Sequence, residues 1–236
     1  MILPSDPDRK WYTEAVHLYA LIIAERMHFA QANYGDGEWG CLLGHEGENS
    51  QGEVYNPVLR DALRETLLQP VGQWCGVNPG EKLRAEVQAW VRDNGVRVKW
   101  LFKEILSAAN VHGHLAPFLQ AVRTRSVILV APAHLADLPE HVIGRHRYVG
   151  VPDHTAWQVV DETFHAVLEV IQPDDLVLFA SGMATNLSIY RLWPELQHTA
   201  TLLDIGAILD PYVGVFSRKN YRPPEWQRDK MPLNLT

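Results

Sequence analysis

Residues 33–40 read NYGDGEWG, with Asp36 and Glu38 one residue apart and a glycine on both sides of the first. An apolar run precedes this stretch and another follows it. In an extended chain, side chains at i and i+2 project to the same side, so the two carboxylates can present their oxygens together. Hard divalent cations prefer such oxygens. Mg²⁺ is commonly held by one or two carboxylates plus substrate phosphates, and Mn²⁺ shares the preference. Glycine on either side lets a ligand approach the backbone closely. The chemistry this suits is the binding of a metal together with a diphosphate. The plain alternative is a solvated turn.

A second stretch, SGMATN (181–186), closes an apolar run at Ser181 and opens a helix at Gly182. The N–H groups and partial positive charge of a helix start can hold a phosphate, although the full G-x-G-x-x-G or P-loop pattern is absent. The same residues also make an ordinary strand-to-helix turn. Asp153, His154, Asp204 and Asp210 are candidates for a general base. Asp153 equally suits a helix cap, and Asp210, before Pro211, a turn. Arg218 is a candidate cation or a surface arginine. NVHGHL (110–115) holds His112 and His114 without the further ligands a zinc site needs; a contact to an acceptor is the functional reading. Trp39 and Trp157 suit stacking on a sugar or a base, or simply the core.

Elements must bring these residues together, and the chain offers them. HFAQANYG (28–35), GQWCGV (72–77), VRVKWLF (96–102), SVILVAP (126–132), HRYVGVP (146–152), DLVLFAS (175–181) and ATLLDIGA (200–207) read as strands. Helices are expected over 9–26, 55–69, 80–95, 154–172 and from 182 to 196. The first starts after Asp6-Pro7-Asp8 and buries Trp11, Ala15, Leu18 and Ile22. In the helix over 154–172, Trp157, Val160, Phe164, Leu168 and Ile171 share one face. The tail, 222–236, has no period and is expected to wrap the surface or fray. Alternating strands and helices imply an α/β fold, Rossmann-like, with a mostly parallel sheet covered by helices on both faces. The reading is one domain, 1–236, with a core at about 28–221. Ligands in such sheets bind beyond the carboxyl ends of the strands, where GDGE, AP, VPDH, SGMATN and DIGAILD lie.

Bulk properties narrow the partners. The formal net charge of −7 gives no overall attraction to nucleic acid or anionic membrane. A local basic groove would have to come from Arg123 with Arg125, Arg145 with Arg147, or Arg218, Lys219 and Arg222. Cys41 and Cys75 form no metal-ligand spacing and read as reduced, buried thiols. No apolar run reaches the ~18 residues of a membrane span, and the N-terminus does not read as a signal peptide. A cytoplasmic location is expected.

NYGDGEWGCLLG resembles the R-[FY]-G-D-G-E opening of the GT-D type glycosyltransferases, a family first described as a domain of unknown function. LLDIGAILDPYVGVFSRKNY (202–221) is similar to that family's D-[IV]-G-x-x-x-D-P-x-x-G-x-x-S-R-x-Y ending, and DLVLFASGMATNLSIYRLW to its apolar strand, glycine turn and helix. The resemblance implies the GT-D fold and a transferase using a nucleoside-diphosphate sugar such as a UDP-sugar. It implies a divalent metal, Mn²⁺ or Mg²⁺, on Asp36 and Glu38. Catalytic roles are then expected among Asp36, Glu38, Asp153, Asp204 and Asp210. Donor contacts are expected from Tyr34, Gly35, Gly37, Ser181, Gly182, Met183, Thr185, Gly206 and Arg218. Asn33 stands where the family often has arginine, whose place Arg218 could take. The acceptor hydroxyl would belong to a glycan, a protein, a small molecule or a hydroxymethylated base of modified viral DNA. Two other readings are a hydrolase using paired carboxylates, as a glycosidase or phosphoesterase, and a nucleotide-binding module without catalysis.

Overall fold

The computed structural model describes residues 9–50 and 52–236. Seven strands, β1 (Ala30–Tyr34), β2 (Trp74–Val77), β3 (Lys99–Phe102), β4 (Val127–Ala131), β5 (His146–Gly150), β6 (Leu176–Phe179) and β7 (Thr201–Asp204), form one sheet in the order β3-β2-β1-β7-β6-β4-β5. Every pairing is parallel. The helices are α1 (Arg9–Ala24), α2 (Asp36–Leu43), α3 (Pro57–Leu68), α4 (Gly80–Asp93), α5 (Ile105–His112), α6 (Ala116–Arg123), α7 (Glu140–Ile143), α8 (Val160–Val170), α9 (Ala184–Leu196) and α10 (Pro224–Asp229).

The strand period of two builds two cores. On β4, Ile128 and Val130 join the core made with α2, α3, α4, α8 and α9. Val127, Leu129 and Ala131 point the other way, toward α1, α5, α6 and α7. Covering both faces makes the central strands continuous apolar runs, as β4 and β6 are. β1 departs from this: Gln31 and Asn33 alternate with Ala30, Ala32 and Tyr34, which the first core takes.

The structure shifts one expectation, fills one gap and decides between two alternatives. The buried face of α1 is Tyr12, Val16, Tyr19 and Ile23, one residue on from the apolar face expected. Leu18 is 58% exposed. The ring of Tyr19 joins the second core while its hydroxyl donates to Gln31, so an amphipathic side chain outranks a leucine in choosing the face. Residues 103–125, unassigned in the sequence reading, carry α5 and α6. Both are short, and Gly113 ends α5 in a left-handed conformation, φ 76°. The tail does not fray: it wraps the surface, with α10 inside it. The helix start expected at Asp6-Pro7-Asp8 lies outside the described residues, as does the side chain of Trp11.

Of the expected basic groups, Arg123, Arg125 and Arg147 are bonded within the fold, Arg145 stays exposed in a surface pair, and Lys219 and Arg222 are exposed. Arg125 is buried and donates to the carbonyls of Ile23 and Asp174. Arg147 pairs with buried Asp175 at 2.6 Å, and Arg123 donates to the His141 carbonyl. Arg145 pairs with Glu140. Both cysteines are free and buried, and burial pushes their thiols up, to about 11 for Cys41 and about 12 for Cys75. Among the described residues no helix is long and apolar enough to cross a membrane.

The tail is anchored by buried Asn234, whose amide donates to the Asn110 carbonyl at 2.9 Å and accepts from the Leu115 N–H at 2.9 Å. Asn234→Ala leaves these buried groups unpaired and should cost about 1–3 kcal/mol. Urea unfolding of the two proteins checks it.

Candidate active site

Gly35 is the extended N-cap of α2, and Asp36 is the first helical residue. The GDGE stretch is therefore a helix start and not an extended loop, so the two carboxylates splay around the helix. Acids in a first turn complement the free N–H groups there, which is why this sequence turns helical. Glu38 reaches back and accepts from the Gly35 N–H through Oε2 at 2.7 Å. Asp36 makes no hydrogen bond or ion pair among the described residues. Both acids line a cavity of about 420 Å³ beyond the carboxyl ends of β1, β3 and β7.

The floor of that cavity is polar. Tyr19 donates to Gln31, Gln31 to the Asn33 side chain at 3.0 Å, and the Asn33 amide to the Asp204 carbonyl at 3.0 Å. The Asp204 carboxylate accepts from the backbone N–H groups of Asn33 and Gly206, each at 2.9 Å. Asp204 is buried, and burial pushes its carboxyl up to about 7, with Glu38 adding to the rise and its hydrogen bonds opposing it.

Lys103, just past β3, supplies a cation that the sequence reading did not single out. Its ammonium pairs with Glu104 at 3.6 Å. Burial alone would lower its pKa, but Glu104, Glu38, Asp204 and Asp36 outweigh that and hold it above the ordinary lysine value. Glu104 is steadied by Asn78 at 3.2 Å and by the Ser107 hydroxyl.

The segment between α2 and α3 covers one side. Glu53 in it is buried, and its Oε2 accepts from the Met183 N–H at 3.1 Å and from Asn49 at 2.6 Å. Its Oε1 has no partner among the described residues. Burial pushes this carboxyl up, against those hydrogen bonds. One of the N–H groups expected to meet a phosphate at the start of α9, that of Met183, is thus already met by a carboxylate of the protein. Ser181 and Thr185 share a hydrogen bond of 2.9 Å, so of this group only Gly182 borders the cavity.

The remaining expected residues divide. Gly37, Gly206 and Arg218 line the cavity, as does His112; Arg218 also contacts the Ser50 hydroxyl. Tyr34 is in the core, its hydroxyl 2.6 Å from that of Thr66. Trp39 is fully buried, its ring 6.0 Å from that of Trp90, so it does not stack on a ligand. Asp153 and Asp210 sit apart with His134, 3.7 and 3.1 Å from its two ring nitrogens, and Ser217 donates to Asp210. His154 lies beside Gly52. The sequence signals for the missed residues were present: Lys103 follows a strand directly, and Gln31 is polar on a strand covered on both faces.

A glycosyltransferase (DUF1792) from Streptococcus sanguinis superposes with a TM-score of 0.62 at 18% identity, covering 85% of this chain and 81% of that one. A structure for which domain of unknown function 1792 is described as having a distinct glycosyltransferase fold gives 0.57 at 15% identity, covering 87% and 84%. The chain has that glycosyltransferase fold. At these identities the likeness is one of fold. No family model matches the sequence, and no curated protein matches it.

Two carboxylates that splay around a helix start, one of them capping it, are not by themselves a closed metal site. No group of three or more His, Cys, Asp or Glu among the described residues could hold a metal. A cation here would have Asp36 and Glu38 as its protein ligands and would take its other oxygens from phosphate and water, the arrangement Mg²⁺ accepts.

Two outcomes follow. Asp204 has a folded pKa above its unfolded value, so its stabilising contribution is complete below about pH 4 and lost as pH rises through about 7. Against wild type, Asp204→Asn should therefore gain relative stability from pH 5 to 7, by up to about 1.4 kcal/mol per unit, in urea unfolding at stepped pH. A Cβ on Gly37 would meet the Asn49 Cβ at 2.8 Å, so Gly37→Val should loosen the covering segment. Faster cutting at exposed Glu46 and Glu48 by a glutamate-specific protease would register it.

Proposed function

We propose that this protein is a metal-dependent glycosyltransferase that moves a sugar from a nucleoside diphosphate to an acceptor hydroxyl. The observation that carries the reading is the Asp36–Glu38 pair at the start of α2, on the wall of a cavity beyond the strand ends. The glycosyltransferase fold of the solved relatives supports it.

The charges of the cavity favour a metal-bound donor over a bare one. Asp36, Glu38, Glu104 and Asp204 face Lys103 and Arg218 across it. Acids outnumber bases, so a diphosphate alone is repelled. A bound Mn²⁺ or Mg²⁺ would neutralise the diphosphate as it leaves.

In the transfer, the bond from the sugar's anomeric carbon to phosphate oxygen breaks and one to the acceptor oxygen forms. The acceptor's proton must go to a base. Asp204, with its carboxyl near 7, can take a proton at neutral pH, and we assign it that role. Asp153 and Asp210 lie with His134 outside the cavity lining, and we assign them no part in the chemistry. The net charge of −7 and the internal bonding of Arg123, Arg125 and Arg147 favour a glycan, protein or small-molecule hydroxyl over a DNA base, with Arg218, Lys219 and Arg222 the basic cluster that remains near the cavity.

A thermal-shift panel of nucleoside-diphosphate sugars, each with Mn²⁺, Mg²⁺ or chelator, tests the reading. Stabilisation by one sugar nucleotide only when metal is present is the expected result, and Asp36→Asn and Glu38→Gln should lose it while melting near wild type. Release of free sugar from the donor without any acceptor would indicate a hydrolase instead.

A further inference from the structure

We propose that Lys103 is the phosphate-binding cation of this cavity: its ammonium neutralises the acids while the site is free and takes a diphosphate oxygen of the donor when the site is loaded. The inference rests on the donor reading above.

The path of the side chain is the first argument. Lys103 leaves the end of β3 and runs back past β2 toward the start of α2. Gly35 makes way for its ammonium, and Gly76 makes way first for the Asn33 side-chain oxygen, 2.1 Å from a Cβ there, and then for the lysine stem. A Cβ on Gly76, in β2, would lie 3.0 Å from the Lys103 Cβ. A Cβ on Gly35 would lie 2.3 Å from the ammonium and 3.1 Å from Glu38 Oε2. The ammonium and the Glu38 carboxylate therefore flank one point above Gly35, at the mouth of the acidic pair.

The second argument is what the ammonium does there. Its side chain is only 25% exposed, and its ion pair with Glu104 is 3.6 Å long. A charge-assisted hydrogen bond to carboxylate is about 2.7–2.9 Å. Glu104 is meanwhile occupied by Asn78 and Ser107. An ammonium carries three donors, and this one lines the cavity while sharing Glu104, at 3.6 Å, with Asn78 and Ser107. Such a group is poised for an incoming anion.

The first turn of α5, Ile105, Leu106 and Ser107, lines the same cavity next to Lys103; its N-cap Glu104 makes no side-chain cap hydrogen bond, so the N–H groups of that turn are not taken by it and favour phosphate against the charge of that carboxylate. A diphosphate has two anionic centres. One can meet the cation held by Asp36 and Glu38 and the other the ammonium at the start of α5.

The role carries opposite signs for metal and nucleotide. Lys103 repels a metal entering the acidic pair and attracts the diphosphate that follows. The test is titration calorimetry on wild type, Lys103→Met and Lys103→Arg, with Mn²⁺ alone and then with a series of nucleoside diphosphates in the presence of Mn²⁺. Lys103→Met should bind Mn²⁺ alone more tightly than wild type. It should bind the preferred nucleoside diphosphate at least about tenfold more weakly, the scale of one lost charge-assisted hydrogen bond. Lys103→Arg should stay much closer to wild type. Gly35→Ala, which keeps the charge but pushes the ammonium aside, should show the same nucleotide loss, so the test survives if Lys103→Met folds poorly. Unchanged nucleotide affinity in Lys103→Met would overturn the proposal. So would a loss of Mn²⁺ and nucleotide together, which would mean that the lysine only holds the acids in place. A wild type that binds Mn²⁺ but no nucleoside diphosphate would instead overturn the donor reading and this inference with it.

Discussion

Two register pairs, Ala30 with Leu202 and Gln31 with Leu203, carry the pairing that joins the halves of the sheet, β3-β2-β1 to β7-β6-β4-β5. Beyond them the ladder gives way to side chains. The Asp204 carboxylate takes the Asn33 N–H, and the Asn186 amide donates to the Asn33 carbonyl at 2.9 Å. Buried backbone groups must be paired somewhere, and pairing them with side chains lets the two strand ends separate without leaving orphans. The cavity opens at that separation. Asn33 and Asp204 therefore shape the site as much as they belong to it.

The same clasp explains the electrostatics. Asp204 is held in a buried position by bonds that also join the sheet, so it cannot turn to water, and burial raises its carboxyl. Lys103 and Glu104 come from the edge strand β3 and Asp36 and Glu38 from α2. These separate segments place acids and a cation around one small volume. A site in which acids exceed bases binds a cation before it binds an anion, and that order suits a metal-bound diphosphate.

Much of the fold was legible in the sequence because strands buried on both faces are continuous apolar runs between turn residues. β4 and β6 stand where such runs stand. α1 was placed correctly but turned by one residue, because its buried face is set by Tyr12 and Tyr19, whose rings pack while the Tyr19 hydroxyl reaches Gln31. α5 and α6 were unreadable: each has eight residues, too few for a helical period to stand out. At the site, the acidic pair was legible as chemistry but not as conformation, since its capping contact is one that only a helix start makes. Glu53 on the N–H of Met183 spans 130 residues, and no local pattern announces a contact of that range. Asp153 and Asp210 were chosen as acids beyond strand ends, and both do lie there. Asp153 follows β5, at the far edge of the sheet from β3, while Asp210, past the central strand β7, is turned to His134 and Ser217.

The most direct measurement is a crystal structure grown with Mn²⁺ and a nucleoside diphosphate, with anomalous data collected at the manganese edge. The account predicts one strong anomalous peak between Asp36 and Glu38, with the diphosphate bridging from it toward Lys103 and the start of α5. A peak at His134, Asp153 and Asp210, or a diphosphate bound away from the Asp36–Glu38 wall, would contradict it.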